Sequence, residues 1–334
     1  MASPIHDRLA RTLSTLETIF AAGDPKALEV VEATRARLQT HTYGKYEIGL
    51  LNAIARERAA VEMIFGPAIS IPTNNGKRSL DAVSVQKANG RSHDVVISNV
   101  AGQGLTQTAA ATAALAQQLP FLKTIILIGI AAGQPDIEND ERDVCLGDIV
   151  IGETIIQYDH VKRIAEDEIE CRGTNLATPS PSLLSVARSL KAEFEIQGAL
   201  PWSWELLMAP AGVASHTFAR PSQERDPQAA LRTYKVPTLN RSGSDRPHIH
   251  IGKIGSANML LKDGVYRDKL HEEHGTIAYE MEGAGVAIAA PMFDAQYIVV
   301  RGVCDYGDST KDDVWQRYSA LGAAAVAKQI LIKL

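Results

Sequence analysis

Two glutamates end a predicted strand. Glu280 and Glu282 flank Met281 at the end of the stretch 276–281, and the small residues of 283–285 follow them. Alternate residues of a strand point to the same face, where two like charges are costly unless hydrogen-bond donors neutralise them. A carboxylate can accept both hydroxyls of a vicinal diol such as that of ribose. A solvated strand end would explain the same pattern without a ligand.

Asp305 follows another predicted strand, 297–303, and lies between Cys304 and Tyr306. Ligands of α/β proteins bind outside the carboxyl ends of strands. A partly desolvated carboxyl group at such a position is suited to general-acid catalysis. A turn or helix N-cap aspartate is the alternative without chemistry.

A glycine turn, Gly102-Gln103-Gly104, lies between a predicted strand and a predicted helix. Its backbone N–H groups could approach an anion or a ribose, which makes it the candidate nucleophile or phosphate region. The turn lacks the third glycine and the downstream acidic residue of a dinucleotide site, and no P-loop lysine follows. Tight packing would also explain it.

Composition limits the class of ligand. The 334 residues carry a formal net charge of −5, which argues against non-specific nucleic-acid binding. The longest apolar run, Ile125–Gly133, is too short to cross a bilayer, and residues 1–13 lack a signal-peptide core. The three cysteines have no disulfide or zinc spacing. We therefore expect a cytoplasmic protein that binds a small molecule, without a metal or cofactor and without a nucleic-acid polymer or membrane as partner.

Apolar strands alternate with helices from residue 45 onward. Strands are predicted at 47–52, 95–100, 124–129, 148–158, 248–255, 276–281 and 297–303, and helices at 106–119, 182–194, 283–292 and 315–334. This alternation predicts an α/β fold with three α/β/α layers around a mixed, largely parallel twisted sheet. Residues 1–44 are predicted to form an N-terminal helical hairpin, and 45–334 the main domain.

An irregular insertion at about 198–247 interrupts this alternation and contains six basic residues. Long insertions in compact folds are often lids or binding loops. Arg220, Arg225 and Lys235 are candidates for contact with a substrate triphosphate. A solvated surface is the alternative interpretation.

Together these stretches resemble the nucleoside phosphorylase and nucleosidase superfamily, which includes methylthioadenosine/S-adenosylhomocysteine nucleosidase, over roughly residues 46–334. The family's first strand and helix are similar to 48–57, which implies that Glu57 activates water. Its Glu-Met-Glu motif implies that Glu282 holds the ribose diol, with Met281 under the sugar and Glu280 beside it. Asp305 takes the place of the leaving-group acid. The base-binding segment is similar to 255–259, which implies base contacts from Ser256, Ala257, Asn258 and Met259.

Two runs of sequence, at 304–318 and 218–226, look more like one branch of the superfamily. They resemble the phosphorylase-like effector domains of NACHT or ankyrin proteins in bacterial antiviral defence, some of which are ATP nucleosidases. Nucleosidases usually carry serine where this chain has Cys304, a weaker donor. The resemblance implies at least a homodimer, and ATP destruction would require a regulatory protein partner or another switch.

The sequence favours hydrolysis over phosphorolysis. A phosphate nucleophile needs arginines, and the position of one such arginine in similar phosphorylases is Leu127 here. We therefore expect a nucleosidase acting on a purine, adenine-containing nucleoside or nucleotide such as ATP. The alternatives are a purine nucleoside phosphorylase, a methylthioadenosine/S-adenosylhomocysteine nucleosidase and a non-catalytic nucleotide sensor. The combination of Glu57, Glu282 and Asp305 argues against the sensor.

Overall fold

The computed structural model describes residues 44–71, 80–139, 142–165, 168–197, 217–229 and 247–334, together with residues 11, 14–15, 18 and 29–33. The hairpin predicted for residues 1–44 lies mostly outside the described residues, and those of its residues that are described before position 34 are helical. Most of the insertion at 198–247 also lies outside, except for 217–229 and 247.

The described strands begin with β1, which carries the first buried apolar run. Their bounds are β1 Tyr46–Asn52, β2 Ile69–Ile71, β3 Leu80–Gln86, β4 Ser92–Asn99, β5 Thr124–Gly133, β6 Ile149–Gln157, β7 Val161–Ala165, β8 Glu168–Cys171, β9 Thr174–Asn175, β10 Ile249–Ser256, β11 Thr276–Glu280 and β12 Gln296–Asp305. The described α-helices are α1 Ala55–Phe65, α2 Leu105–Gln118, α3 Pro181–Gln197, α4 Gly264–His274, α5 Gly283–Ala289 and α6 Gln316–Lys333. Short 3₁₀ turns occur at Gln223–Arg225 and Ala290–Phe293.

One mixed sheet runs in the order β11-β10-β6-β12-β5-β1-β4-β3-β2, with β9 paired to β6. Parallel pairs join β10 to both β6 and β11, β5 to β12, and β1 to both β4 and β5. Antiparallel pairs add β2, β3 and β9 and link β12 to β6. A further antiparallel pairing of β11 with β5 closes five strands into a ring, so the ends of β5, β11 and β12 lie close together.

Helices cover both faces of the central strand β5, which gives the fold its three layers. Its residues Ile126 and Ile128 pack into a cluster with α1, α3 and α6, whereas Ile125 and Leu127 pack into a second cluster with α2 and α5. Successive side chains of a strand point to opposite faces, so a continuous apolar run is expected where helices cover both faces. The mixed α/β architecture predicted from the sequence is therefore confirmed.

All seven predicted strands are present, and β5 runs beyond its predicted end at Gly129 to Gly133. The predicted helices correspond to α2, α3, α5 with its 3₁₀ extension, and α6. The sequence prediction lacked helix α4, the edge strands β2 and β3, the separate β7–β8 hairpin and β9. The missing strands are short or lie toward the edge of the sheet, where apolar periodicity is weak.

Candidate active site

A pocket of about 430 Å³ opens where the carboxyl ends of β5, β11 and β12 meet the start of α1. Its volume lies within the usual range for small-molecule sites. Its lining combines carboxylates, cations and apolar side chains: Glu57, Glu280, Glu282, Asp305 and Asp313; Arg56, Lys262 and Lys311; and Ile54, Met259, Leu260, Leu261 and Met281.

Arg301 is a fully buried charge in the middle of β12. Its Nη2 donates to Glu280 and lies 3.3 Å from Oε2 of Glu282, while Nη1 lies 3.8 Å from Oε1 of Glu57. Burial alone would lower the pKa of the guanidinium, but the three carboxylates together raise it above its ordinary value. One cation thus faces three acidic groups.

Gly129 of β5 leaves the space for this cluster. It pairs with Arg301 across the sheet, and a Cβ at this position would overlap both Nη1 of Arg301 and Oε1 of Glu57. The two buried charged side chains therefore require glycine at position 129.

Glu57 is held by the backbone at the start of α1. Its Oε2 accepts the N–H groups of Ala53 at 2.8 Å and Ile54 at 3.1 Å, and its Oε1 accepts that of Ile130 at 3.0 Å. The bond to Ile54 is the reciprocal contact of a glutamate at the third helical position. Burial raises the pKa of Glu57, although Arg301 and these N–H groups oppose the rise. The group is therefore held in a fixed orientation, and its raised pKa makes it a stronger proton acceptor than an exposed glutamate.

Glu280 and Glu282 differ in their partners. The Glu280 carboxylate accepts the N–H groups of Glu282 at 2.9 Å and of Gly283 at 2.8 and 2.9 Å, in addition to the bond from Arg301. Oε1 of Glu282 accepts the N–H of Gly104 at 3.2 Å. Burial raises the pKa of Glu282 to about 7 against the influence of Arg301. Glu280 is therefore occupied by protein donors, and Glu282 is the freer of the two to accept a diol.

Asp305 is held at the end of β12 by three donors. Its Oδ1 accepts the N–H of Gly307 at 2.8 Å, and its Oδ2 accepts Nζ of Lys311 at 2.6 Å and Sγ of Cys304 at 3.2 Å. Burial, with Asp305 adding to it, raises the pKa of the Cys304 thiol, which therefore stays protonated and able to donate.

Residues 69–332 match the sequence model described as the phosphorylase superfamily. The chain belongs to the phosphorylase superfamily. It is 28% identical over 316 residues to a nucleotide-binding leucine-rich repeat (NLR)-like protein of Hyaloscypha variabilis, covering 86% of this chain and 29% of that protein. It is 25% identical over 312 residues to the ATP nucleosidase Cap17 of Escherichia coli strain KTE188, covering 91% of this chain and 54% of the relative. The chain thus spans about half or less of the length of these relatives.

Solved structures of the superfamily share the fold. The 5′-methylthioadenosine/S-adenosylhomocysteine nucleosidase of Neisseria meningitidis superposes with a TM-score of 0.56 at 16% identity, covering 87% of this chain and all of that one. At this identity the likeness concerns the fold alone.

Within this superfamily member, the residues predicted for catalysis and ribose binding line one pocket. Glu57, Glu280, Met281, Glu282 and Asp305 all contribute to its wall, although Glu57 precedes the others by more than 200 positions. The structure therefore brings the predicted residues together. The roles predicted for them stay predictions.

The four predicted base-binding residues divide into two groups. Met259 lines the pocket, whereas the other three connect elements of the protein around it. Their contacts are Ala284 N–H to Ser256 Oγ at 3.0 Å, Ala257 N–H to the Glu280 carbonyl at 3.2 Å, Leu105 N–H to Asn258 Oδ1 at 2.9 Å and Asn258 N–H to Asp159 at 2.9 Å. Tyr158 and Tyr279, which the sequence did not indicate, also line the pocket, with ring centroids 6.4 Å apart.

The glycine turn reaches the pocket through Gln103. Gly104 adopts φ +107°, a conformation that favours glycine, and thereby points its N–H at Glu282. A Cβ at Gly104 would lie 2.8 Å from Oδ1 of Asn258. The turn thus helps to position the carboxylate predicted to hold ribose.

Of the three basic residues predicted to contact a triphosphate, the two that the structure describes lie outside the wall of the pocket. Arg220 lies over the ring of Trp315, 5.3 Å from its centroid, and Arg225 lies 3.5 Å from Asp312. Neither lines the pocket, and Lys235 lies outside the described residues. The segment 217–229 packs beside the pocket, on the residues that precede α6, and its contact with substrate stays a prediction.

Sequence reasoning gave no role to Arg301 or Lys311. A buried role for Arg301 could have been recognised in the sequence, because an arginine inside a run of buried β-branched residues requires buried acidic partners. Nothing in the sequence indicates the role of Lys311, because its contact with Asp305 depends on the turn after β12.

No helix among the described residues is long and apolar enough to cross a membrane. The same residues contain no group of three or more His, Cys, Asp or Glu side chains arranged to hold a metal ion.

Proposed function

We propose that this chain is a nucleosidase that hydrolyses the N-glycosidic bond of an adenine nucleoside or nucleotide, with ATP as the preferred substrate. The observation that carries the proposal is the meeting of Glu57, Glu282 and Asp305 in one pocket. Hydrolysis needs a base for water, a group that holds the sugar and an acid for the departing base, and these three carboxyl groups can supply them.

In the proposed reaction Asp305 gives a proton to N7 of the purine, so the base leaves neutral. Glu282 accepts the 2′ and 3′ hydroxyls while positive charge develops on the sugar. Glu57 takes a proton from water on the face opposite the base. Nη1 of Arg301 lies 3.8 Å from Oε1 of Glu57 and favours the charged, proton-accepting form of that carboxyl group.

The charge around Arg301 favours water over phosphate as the nucleophile. The sequence argument relied on the lack of an arginine at Leu127, and in the structure Arg301 lies behind the pocket wall, against three of its carboxylates. Its charge is opposed by Glu57, Glu280 and Glu282, which would repel a phosphate dianion. The carboxylates around Arg301 therefore support hydrolysis in addition to the missing arginine.

ATP as substrate is supported by the relative Cap17, which is an ATP nucleosidase. Because this chain spans about half of that relative, the activity is part of the proposal. A role in antiviral defence, cytoplasmic location, a homo-oligomeric assembly and control by a partner protein follow from the branch resemblance and are proposed with it. The NLR-like relative is in keeping with such control.

The test is to incubate the pure protein with ATP, AMP, adenosine and methylthioadenosine and to follow free adenine. We expect adenine from ATP at a far higher rate than from adenosine, unchanged by added phosphate, with ribose 5′-triphosphate as the other product. The double variant Glu57→Gln, Asp305→Asn, purified identically, excludes a contaminating nucleosidase. Phosphate-dependent release with a ribose 1-phosphate product would make the protein a phosphorylase, and no release from any substrate would overturn the proposal.

A further inference from the structure

Three cations line the pocket, and the buried Arg301 is not one of them. Arg56, Lys262 and Lys311 contribute to the wall, and Lys262 is exposed. The Arg56 side chain is 34% exposed and that of Lys311 16%, whereas Glu57, Glu282 and Asp305 are all buried. The buried end of the pocket is therefore acidic, whereas its more exposed lining contains these three cations and one carboxylate, Asp313.

The three cations are neutralised to different degrees. Lys311 is bound to Asp305. Arg56 donates to Gln316 and lies 3.1 Å from Oδ2 of Asp313, whose side chain is 68% exposed. Lys262 forms no ion pair with any residue that the structure describes. Solvated ion pairs such as that of Arg56 contribute little free energy, so an incoming anion can replace Asp313 at small cost.

The two ends of the pocket define the direction of a bound nucleotide. If Glu282 holds the 2′ and 3′ hydroxyls at the buried end, the 5′ substituent is directed toward the opening. Arg56 adjoins Glu57 in α1, and Lys311 contacts Asp305, so these cations flank the groups proposed to act on the two sides of the glycosidic bond.

We propose that Arg56, Lys262 and Lys311 form a subsite for the 5′ phosphates of the substrate, and that it gives ATP its advantage over adenosine; this rests on the proposed nucleosidase function. The guanidinium fork of Arg56 can bind two phosphate oxygens, and the lysines supply point charges. Arg220 and Arg225 lie outside the pocket wall and are not needed for the subsite.

The test compares Arg56→Gln and Lys262→Gln with Lys269→Gln, an exposed lysine on α4 that pairs with Glu273. Lys311 is left unchanged because it also holds Asp305. We expect each pocket variant to lower kcat/KM for ATP by roughly tenfold or more, the loss expected from one charged hydrogen bond, and to change adenosine hydrolysis by less than about threefold. Arg56→Lys should recover part of the loss, and high salt should reduce the wild-type preference for ATP.

Binding provides a readout that does not depend on turnover. In the Glu57→Gln background, where hydrolysis is expected to be slow, ATP should raise the Tm more than adenosine does, with or without Lys269→Gln, and adding Lys262→Gln should remove that difference. Unchanged ATP kinetics in both pocket variants, or equal losses on ATP and adenosine, would overturn the subsite while leaving the nucleosidase proposal intact. If the wild type releases no adenine, the nucleosidase proposal fails, and the shift in Tm alone then decides whether these cations bind the phosphates.

Discussion

Nζ of Lys311 lies 2.6 Å from Oδ2 of Asp305, and the two side chains are 16% and 2% exposed. The other carboxylate oxygen accepts the N–H of Gly307 at 2.8 Å. Asp305 is thus fixed at both oxygens at the edge of the pocket. In the proposed reaction its carboxyl group gives the proton to the purine.

Asp305→Asn should lower kcat for adenine release by roughly 10²–10⁴-fold, the usual contribution of a general acid or base. The amide keeps the shape of the side chain and can still accept the N–H of Gly307, but it has no acidic proton to give. The measurement is adenine release from ATP, with the isosteric Asp294→Asn, an exposed position, as control. A rate for Asp305→Asn within about threefold of the wild type would mean that another group protonates the base.

Glu57→Gln should remove the base that activates water and lower kcat by roughly 10²–10⁴-fold. Binding of ATP should change little, because Glu57 contacts neither the base nor the diol in the proposed complex. Calorimetric titration gives the Kd, and turnover in ¹⁸O-labelled water gives the origin of the new oxygen on the sugar. Glu62→Gln, an exposed glutamate of the same helix, is the matched control. A large loss of ATP affinity in Glu57→Gln, or ribose without label in the wild type, would contradict this role.

Adenine release should lose efficiency as the pH falls through about 7, because burial raises the pKa of Glu282 to about 7 from its ordinary 4.5. Below that pH a growing share of the free protein carries a neutral carboxyl group, which cannot accept both ribose hydroxyls. Bound ribose favours the ionised form, so the acidic limb of kcat should lie at lower pH than that of kcat/KM. Profiles of both quantities test this, and a kcat/KM limb near 4.5 would contradict it.

The positions of Glu282 and Asp305 were predictable because each follows a strongly apolar strand. A run such as 297–303 can only be buried, and its first polar successor must then lie at the edge of the sheet. The contribution of Glu57 was not predictable in this way. It came from the family resemblance, because its place beside Ile130 depends on the pairing of β1 with β5.

The site features that were not predicted depend on contacts between distant segments. The antiparallel pairing of β11 with β5 closes the ring of strands, and no local pattern encodes that pairing. The basic side of the pocket was expected in the insertion at 198–247, where arginines are dense. Among the described residues, the cations of the pocket wall are Arg56, Lys262 and Lys311, which lie in three separate segments of the sequence. No local run of charge indicates these three positions, and the contacts predicted for the insertion stay predictions.

Arg301→Met should lower the free energy of unfolding by about 3–5 kcal/mol at pH 8, because it leaves three buried carboxyl groups without their cation. A carboxyl group whose pKa is higher in the folded than in the unfolded protein binds protons on folding. Such a group lowers the free energy of unfolding further as the pH rises from its unfolded pKa to its folded pKa. The defect should therefore be smaller at about pH 5.5 than at pH 8. Urea unfolding at both pH values gives the two free energies, and Arg188→Met, an exposed arginine of α3, is the control. A defect independent of pH would show that Arg301 stabilises the fold through packing rather than through the charges of Glu57, Glu280 and Glu282.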